Sequence, residues 1–386
     1  MADLKTNARV LIAGAGPVGM AFALMLARRR VDCEVIDART LEAARGDRRL
    51  LALSRGTVEL LAPVVQLPPA VTTPIRTVVV SSAGEFGRVV IGPDDLGPRP
   101  LGVTIRYGDL LAPLAEACVA SGQVHITRPC RVIEVSQRPA RVTARLDDGT
   151  ERDAELLVNA EGTAVLAPHA ADQTALVADV TLDGPAVGEA FERFTRDGPL
   201  ALLPLPGQAP AAGRSLSLVW CMPAAAAQRR LQLDDPAFVA ELQQAFGSRS
   251  GRIVRVGPRA SYPLHEQSRG TLREHRVVWI GNAAQTLHPV AGQGLNLGMR
   301  DASQLADVIA AALAAGGDLS AVLDDYERSR RTDRAAILGL TRRLPGLFAT
   351  RATPVAVGRS LGLTALNVFP DLRRQFARLL MFGVRS

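Results

Sequence analysis

The chain has 386 residues, 47% hydrophobic and 22% charged, with a formal net charge of +7. That length holds an ample core and room for two domains, and no apolar run reaches the ~20 residues of a bilayer span. Aromatic residues make up 4% and arginine is scattered, which speaks against nucleic-acid binding, where a basic stripe with stacking aromatics is needed.

Arg9–Ala13 reads as a buried strand, followed by Gly14-Ala15-Gly16-Pro17-Val18-Gly19 and an apolar helix through Leu26. Gly14 permits the tight turn, Gly16 admits a pyrophosphate, and Gly19 lets the helix pack on the strand. A second strand, Cys33–Ile36, ends in Asp37, where an acidic side chain would hold a ribose hydroxyl pair. Strand, glycine loop, helix and terminal acid together predict a dinucleotide site, without separating NAD from FAD. Thr40–Leu61 reads as a basic loop entering a helix, and Pro63 to Pro74 as a proline-rich connection. Val78–Val80 and Val89–Ile91 read as strands outside the nucleotide-binding sheet. Asp109–Ala120 has helical spacing. Arg131–Val135 and Arg141–Leu146 alternate like an antiparallel pair turned at Asp148-Gly149, and Leu156–Ala160 is a buried strand ending at Glu161-Gly162.

From about 171 to 264 the pattern changes to strands (Ala175–Leu182, Gly188–Phe194, Ser215–Cys221) and one helix, Pro236–Phe246. This predicts a second sheet domain interrupting the first. An apolar strand, Val277–Ile280, then runs into the glycine-punctuated loop GNAAQTLHPVAGQGLNLG and a helix over 295–314. Unpaired first-turn amides and the positive end of the helix dipole suit negative charge there. Glycines at 292, 294 and 298 let a flat ring approach the backbone.

Together the two glycine motifs resemble the FAD-dependent aromatic hydroxylases, the single-component flavoprotein monooxygenases. The late loop is similar to that of the ubiquinone-biosynthesis hydroxylases, and the resemblance covers nearly the whole chain. Arg49–Ser54 looks like that group's flavin-contacting arginine segment. Phe191–Thr195, Gly198–Leu200, Ser217–Cys221 and Tyr262–Leu264 look like its 2-polyprenyl-6-methoxyphenol hydroxylases. The resemblance implies an α/β fold: a Rossmann-like FAD-binding domain (residues 1–70, 101–170 and 265–331) interrupted by a β-sheet-rich substrate domain (71–100 and 171–264), with a helical C-terminal segment (332–386). It implies a reaction in which NADH or NADPH reduces the flavin, O2 gives a C4a-hydroperoxide, and an electron-rich polyprenyl phenol takes the distal oxygen. The cofactor carries the hard step, and the protein supplies orientation, electrostatics and a dry pocket.

Roles implied by the resemblance fall on particular residues. Gly14, Gly16, Val18 and Gly19 cradle the pyrophosphate and Asp37 holds the adenosine ribose. Arg49 reaches the flavin side; read from the residues alone, its alternative is a surface arginine. Asn282 stands where the wider family often has aspartate. Gly292, Gln293, Gly294, Leu295 and Asn296 offer amides to the flavin edge where negative charge develops on reduction, and Pro289 lines the ring face turned to substrate. His288 is a proton relay or a loop-positioning residue. Glu161 replaces the family's aspartate, and the serine and arginine expected soon after are absent from Thr163–Leu166, in a region, Ala164–Gln173, that is compressed.

Cys33, Cys118, Cys130 and Cys221 lack CxxC or metal-ligand spacing and read as small buried apolar residues, and the histidines are scattered, so no metal is expected. Lys5 is the only lysine, which excludes interior Schiff-base chemistry. The N-terminus enters its first strand without a separate apolar signal, so a cytoplasmic protein is expected. A basic surface favours contact with anionic lipid. Asp371–Phe382 interleaves Arg373, Arg374 and Arg378 with Phe376, Leu379, Leu380 and Phe382; that pattern fits an interfacial helix on the inner membrane face and a helix packed on the cofactor domain alike. Rival readings are a different ring-position hydroxylase of the same pathway, a flavin-retaining assembly subunit without turnover, and a flavin-dependent reductase of isoprenoid lipids.

Overall fold

Consecutive apolar residues build the first sheet, because a parallel sheet covered on both faces leaves no solvent side for polar residues to occupy. Val10–Ala13 lies beside Cys33–Ile36 on one flank and Leu156–Asn159 on the other, all parallel. Val124–Thr127 extends one end in parallel, and Val277–Trp279 the other; Arg273–Glu274 closes the far edge antiparallel. The computed structural model describes residues 8–162, 173–184, 188–207, 213–349 and 353–384. The expected changes at Thr163–Leu166, and all of the compressed stretch except Gln173, therefore lie outside the described residues.

Helix Pro17–Ala27 is buried on every side, as its nearly uniform apolar composition requires. It sits between the sheet and helix Gln293–Ala314. Gly298 of that second helix packs so closely that an added Cβ would lie 2.9 Å from Gly281 Cα and 3.0 Å from a Val18 methyl. The two cofactor motifs, far apart in sequence, thus meet through Val18 and two glycines.

A second sheet has seven strands in the order Ile253–Leu264, Gln173–Leu182, Arg214–Pro223, Pro199–Pro204, Glu189–Phe194, Thr77–Ser82 and Arg88–Ile91. Neighbours are antiparallel except Glu189–Phe194 with Thr77–Ser82. Helices Ala224–Leu231 and Asp235–Phe246 cover one face, where Leu176, Leu202, Leu218 and Trp220 meet Ala227, Phe238 and Leu242. Two smaller three-stranded sheets, Val132–Gln137, Val142–Leu146 and Glu151–Ala154, and Leu50–Ser54, Gly102–Arg106 and Thr72–Ile75, and a two-stranded one, Gln267–Ser268 with Gln285–Thr286, complete the strands among the described residues. Inside the basic stretch read as a loop entering a helix, Leu50–Ser54 is a strand, because it pairs with Gly102–Arg106, a partner some fifty residues on.

Three helices end the chain, Leu319–Ala349, Thr353–Val368 and Pro370–Phe382. They dock on the outer strand of the second sheet, where Val89 and Ile91 meet Leu363, Ala377 and Leu380. Phe348 stacks on Phe194 at 3.7 Å. In the last helix Arg373 pairs with Asp95 at 2.7 Å, and the Met381 carbonyl takes a hydrogen bond from Ser54 Oγ at 2.9 Å. The face carrying Ala377 and Leu380 is therefore packed, while Val368, Phe369 and Leu372 remain exposed. No helix among the described residues is long and apolar enough to cross a membrane.

Candidate functional site

Gly14 has φ +105°, and a Cβ there would lie 2.8 Å from the Ala160 carbonyl carbon; a side chain at Gly19 would meet the Gly14 carbonyl oxygen at 1.9 Å. These two glycines are demanded by the protein's own packing. Gly16 differs: its missing Cβ would touch only the Tyr107 hydroxyl, at 3.2 Å, so the space above it is free for a ligand. No side chain caps the helix beginning at Pro17 and its first turn holds no acidic residue, leaving amides and dipole open to an anion. Asp37 is buried and accepts from the Ala15 amide at 2.7 Å and the Arg39 amide at 2.8 Å, which uses part of the carboxylate's acceptor capacity. Burial pushes the Glu161 carboxyl up from its ordinary value, opposed by Arg131 and assisted by Asp37.

Three residues that local pattern does not single out converge on the same loop. Arg128 Nη2 donates to the Ala15 carbonyl at 2.8 Å, and its buried Nε and Nη1 have no partner among the described residues. Arg39 Nη2 reaches the Tyr107 hydroxyl at 3.3 Å. Arg49 lies over the Tyr107 ring at 5.1 Å and pairs with Asp47 at 2.6 Å while largely exposed. Cationic groups and a phenol hydroxyl around an open Gly16 suit a pyrophosphate.

The second loop is held from several sides. His288 Nδ1 accepts from the Val290 amide at 3.3 Å, so Nε2 carries the hydrogen and donates to Gln173 Oε1 at 2.8 Å. Burial lowers the imidazole to about 4, leaving it neutral and fixed: a positioning residue in this geometry. After Pro289, Ala291 and Gly292 both adopt left-handed backbone, with φ 58° and 59°. Such strain in an alanine persists where surrounding contacts over-determine it. Asn296 supplies them: its amide nitrogen donates to Ala52 O at 3.0 Å and Gly292 O at 2.7 Å, while its oxygen accepts from Ser54 N at 2.9 Å and Thr57 Oγ1 at 2.7 Å. Gln293 Nε2 reaches the Ala291 carbonyl at 3.1 Å and the Leu380 carbonyl at 3.3 Å.

The helix from Gln293 also lacks a side-chain cap and first-turn acids, and a Cβ at Gly294 would meet nothing within 4 Å. The space beside Gly294 is open, which leaves room for a flavin edge at this helix start. Leu295 is half-buried and packs against the core, and Asn282 is exposed in the turn before the loop. The structure thus gathers Val18, Gly298 and both glycine loops into one region, with the Asn296 side chain serving as an internal clamp.

Facing the second loop is the sheet surface opposite helices Ala224–Leu231 and Asp235–Phe246, whose Val80 edge packs against the C-terminal helices. Side chains alternate between faces of a strand, so residues in register across the sheet share a face. One such row runs Val80, Glu192, Ala201, Val219, Val177, Ala260. All six are half-buried, and Glu192 is the one charged member. Its carboxylate accepts a hydrogen bond from the Ala291 amide, and burial without a neighbouring cation pushes it up to about 8. The residue is half-buried, and partial desolvation of its carboxylate raises its proton affinity while leaving surface beside the loop.

Residues 7–339 match the family described as FAD binding domain. This chain belongs to that family, in its ubiquinone-biosynthesis branch. It is 33% identical to the ubiquinone hydroxylase UbiL of Rhodospirillum rubrum, over 96% of this chain and 89% of that one. It is 27% identical to the 3-demethoxyubiquinol 3-hydroxylase of Escherichia coli, over 95% and 96% of the two chains. The fold is shared with p-nitrophenol 4-monooxygenase PnpA of Pseudomonas putida, with a TM-score of 0.75 at 18% identity over 98% of each chain. FAD is its cofactor.

Proposed function

We propose that this chain is a flavin monooxygenase that hydroxylates the aromatic ring of a polyprenyl methoxyphenol in ubiquinone biosynthesis, using O2 and NADH or NADPH. The observation that carries the reading is the half-buried apolar sheet row opposite the flavin loop, interrupted by one carboxylate. A hydrophobic aromatic ring fits such a surface, and one polar group is enough to orient its hydroxyl. Bound FAD would supply the redox chemistry, taking a hydride from the nicotinamide and activating O2.

The protein's share is placement and exclusion of water. Gly14, Gly16 and Gly19, with Val18 behind them, would seat the pyrophosphate, flanked by Arg39, Tyr107 and Arg128. Asp37 would hold the ribose and Arg49 the flavin side. The amides of Gly292 to Asn296 would stabilise charge developing on the ring edge. Pro289 would line the substrate side, and His288 would fix the loop through Gln173.

Similarity to a 3-demethoxyubiquinol 3-hydroxylase supports a second reading, attack at a different ring position of the same pathway. The polyprenyl tail would partition into the bilayer, and exposed Val368, Phe369 and Leu372 offer apolar contact for peripheral association. Mass spectrometry of quinone precursors in a strain lacking this gene tests the function and the position together. Accumulation of a prenylated phenol short of one ring oxygen is expected; an unchanged precursor profile refutes the assignment.

A further inference from the structure

Glu192 is out of place in an otherwise apolar row, and its surroundings supply no cation to keep it ionised. Arg193, the next residue, points to the opposite face, where it donates to Ala245 O at 2.8 Å and Ser81 Oγ at 3.1 Å. On Glu192's own face the ionisable neighbour is Cys221, whose thiol is pushed up above its ordinary value by burial and then by Glu192 and Glu266. Asp179, farther along, pairs with Arg106 at 3.7 Å. From the flavin loop come the Ala291 amide and the neutral His288. One amide occupies a fraction of a carboxylate's acceptor sites, so Glu192 retains acceptor capacity beside the flavin loop.

We infer that Glu192 accepts the hydrogen bond of the substrate's phenolic hydroxyl and thereby selects a neutral phenol over an aromatic carboxylate. The inference rests on the function proposed above and names the group that recognises its substrate. A phenol donates one O–H, which matches a free acceptor lone pair. With Glu192 ionised, an aromatic carboxylate brings a second acceptor and a second charge to a group that has no cation beside it, and desolvation of that charge goes uncompensated.

The pH dependence has a definite sign. Below about 8 the Glu192 carboxyl is mostly protonated; above it the carboxylate makes a charge-assisted and therefore stronger hydrogen bond. Phenol affinity should rise as pH climbs through that value, until the phenol itself ionises near pH ~10.

The test uses the full-length FAD-loaded protein and reads binding from the perturbation of flavin absorbance. The probes are a short-chain prenyl methoxyphenol and a 4-hydroxybenzoate bearing the same prenyl chain, each titrated from roughly pH 6.5 to 9. In the wild type the phenol dissociation constant should fall by about tenfold across the range, and at its alkaline end the benzoate should bind at least about tenfold more weakly than the phenol. Glu192→Gln, which keeps an acceptor oxygen, should bind the phenol with a flat pH profile. Glu192→Leu should be flat as well and about tenfold weaker at high pH, so a folding failure of either variant leaves the other decisive. A Glu192 variant with the wild-type pH profile, or a benzoate binding as tightly as the phenol at the alkaline end, overturns the inference alone. If neither probe perturbs the wild-type flavin at any pH, the proposed function fails with it.

Discussion

Asn296→Ala removes a side chain that makes four hydrogen bonds between the flavin loop, the strand Leu50–Ser54 and the helix that follows it. The Thr57 hydroxyl retains Ser54 Oγ as a neighbour at 3.3 Å, so that group is only weakened. Ser54 N–H is buried and loses its partner outright, which costs roughly 1–3 kcal/mol. The Ala52 and Gly292 carbonyls are half-buried and would recover part of their loss from water, leaving about 0.5–1 kcal/mol each. The sum is about 3 kcal/mol, and at about 2 °C per kcal/mol for a large chain the melting temperature should fall by roughly 6 °C. Because Gly292 is released from the strand, FAD affinity should drop as well. Asn296→Asp retains the acceptors, loses both donors and buries a charge, so it should be worse at neutral pH. Thermal unfolding of apo and FAD-loaded protein, with flavin content by absorbance, measures both effects. A melting temperature within about 2 °C of wild type for Asn296→Ala, equivalent to less than ~1 kcal/mol, refutes the clamp.

Gly16→Val should leave the fold intact, since only the Tyr107 hydroxyl stands near the new side chain, yet abolish FAD retention; a folded variant with full flavin occupancy contradicts the pyrophosphate assignment. Gly294→Val points into open space, so it should purify with FAD but show impaired flavin reduction in stopped-flow absorbance, and wild-type reduction kinetics would remove the loop from the flavin site. His288 falls from an ordinary value of 6.5 to about 4 in the fold, so the unfolded chain binds the extra proton between these values. The stability it contributes is present above about pH 6.5 and is lost as pH falls toward 4, by up to roughly 3 kcal/mol. Denaturant titrations of His288→Gln across that window should lack this slope; an unchanged slope assigns it to other groups. Truncation after Pro370 should cut soluble folded protein, because Arg373, Ala377 and Leu380 leave Asp95 and the packed face exposed; a truncated protein with wild-type melting behaviour would free this helix for another role.

Both glycine loops were legible in the sequence because their signals are local: an apolar strand, glycines at fixed offsets and a helix lie within one short window. The strands around Val78 and Val89 were also legible as strands, but their membership was less so. The first pairs in parallel with Glu189–Phe194, more than a hundred residues on, which no local pattern encodes, and the second follows it antiparallel at the sheet edge. Glu192 was visible only as one letter of a family-like segment; its meaning depends on the Ala291 amide, which belongs to the other sheet's loop. Tyr107 and Arg128 likewise owe their position beside Gly14–Gly19 to tertiary packing. For the last helix, alternating arginine and apolar residues fit lipid and protein equally, and the buried Asp95 that claims Arg373 decides the packed face.

Oxygen incorporation tests the central claim most directly. The purified FAD-loaded protein would be reduced by NADH or NADPH in the presence of a short-chain prenyl methoxyphenol and exposed to 18O2, with the product read by mass spectrometry. The account predicts one 18O atom on the aromatic ring per molecule of product, and none when H218O replaces labelled O2. Consumption of nicotinamide with hydrogen peroxide as the sole oxygen product, and an unlabelled phenol recovered unchanged, would contradict it.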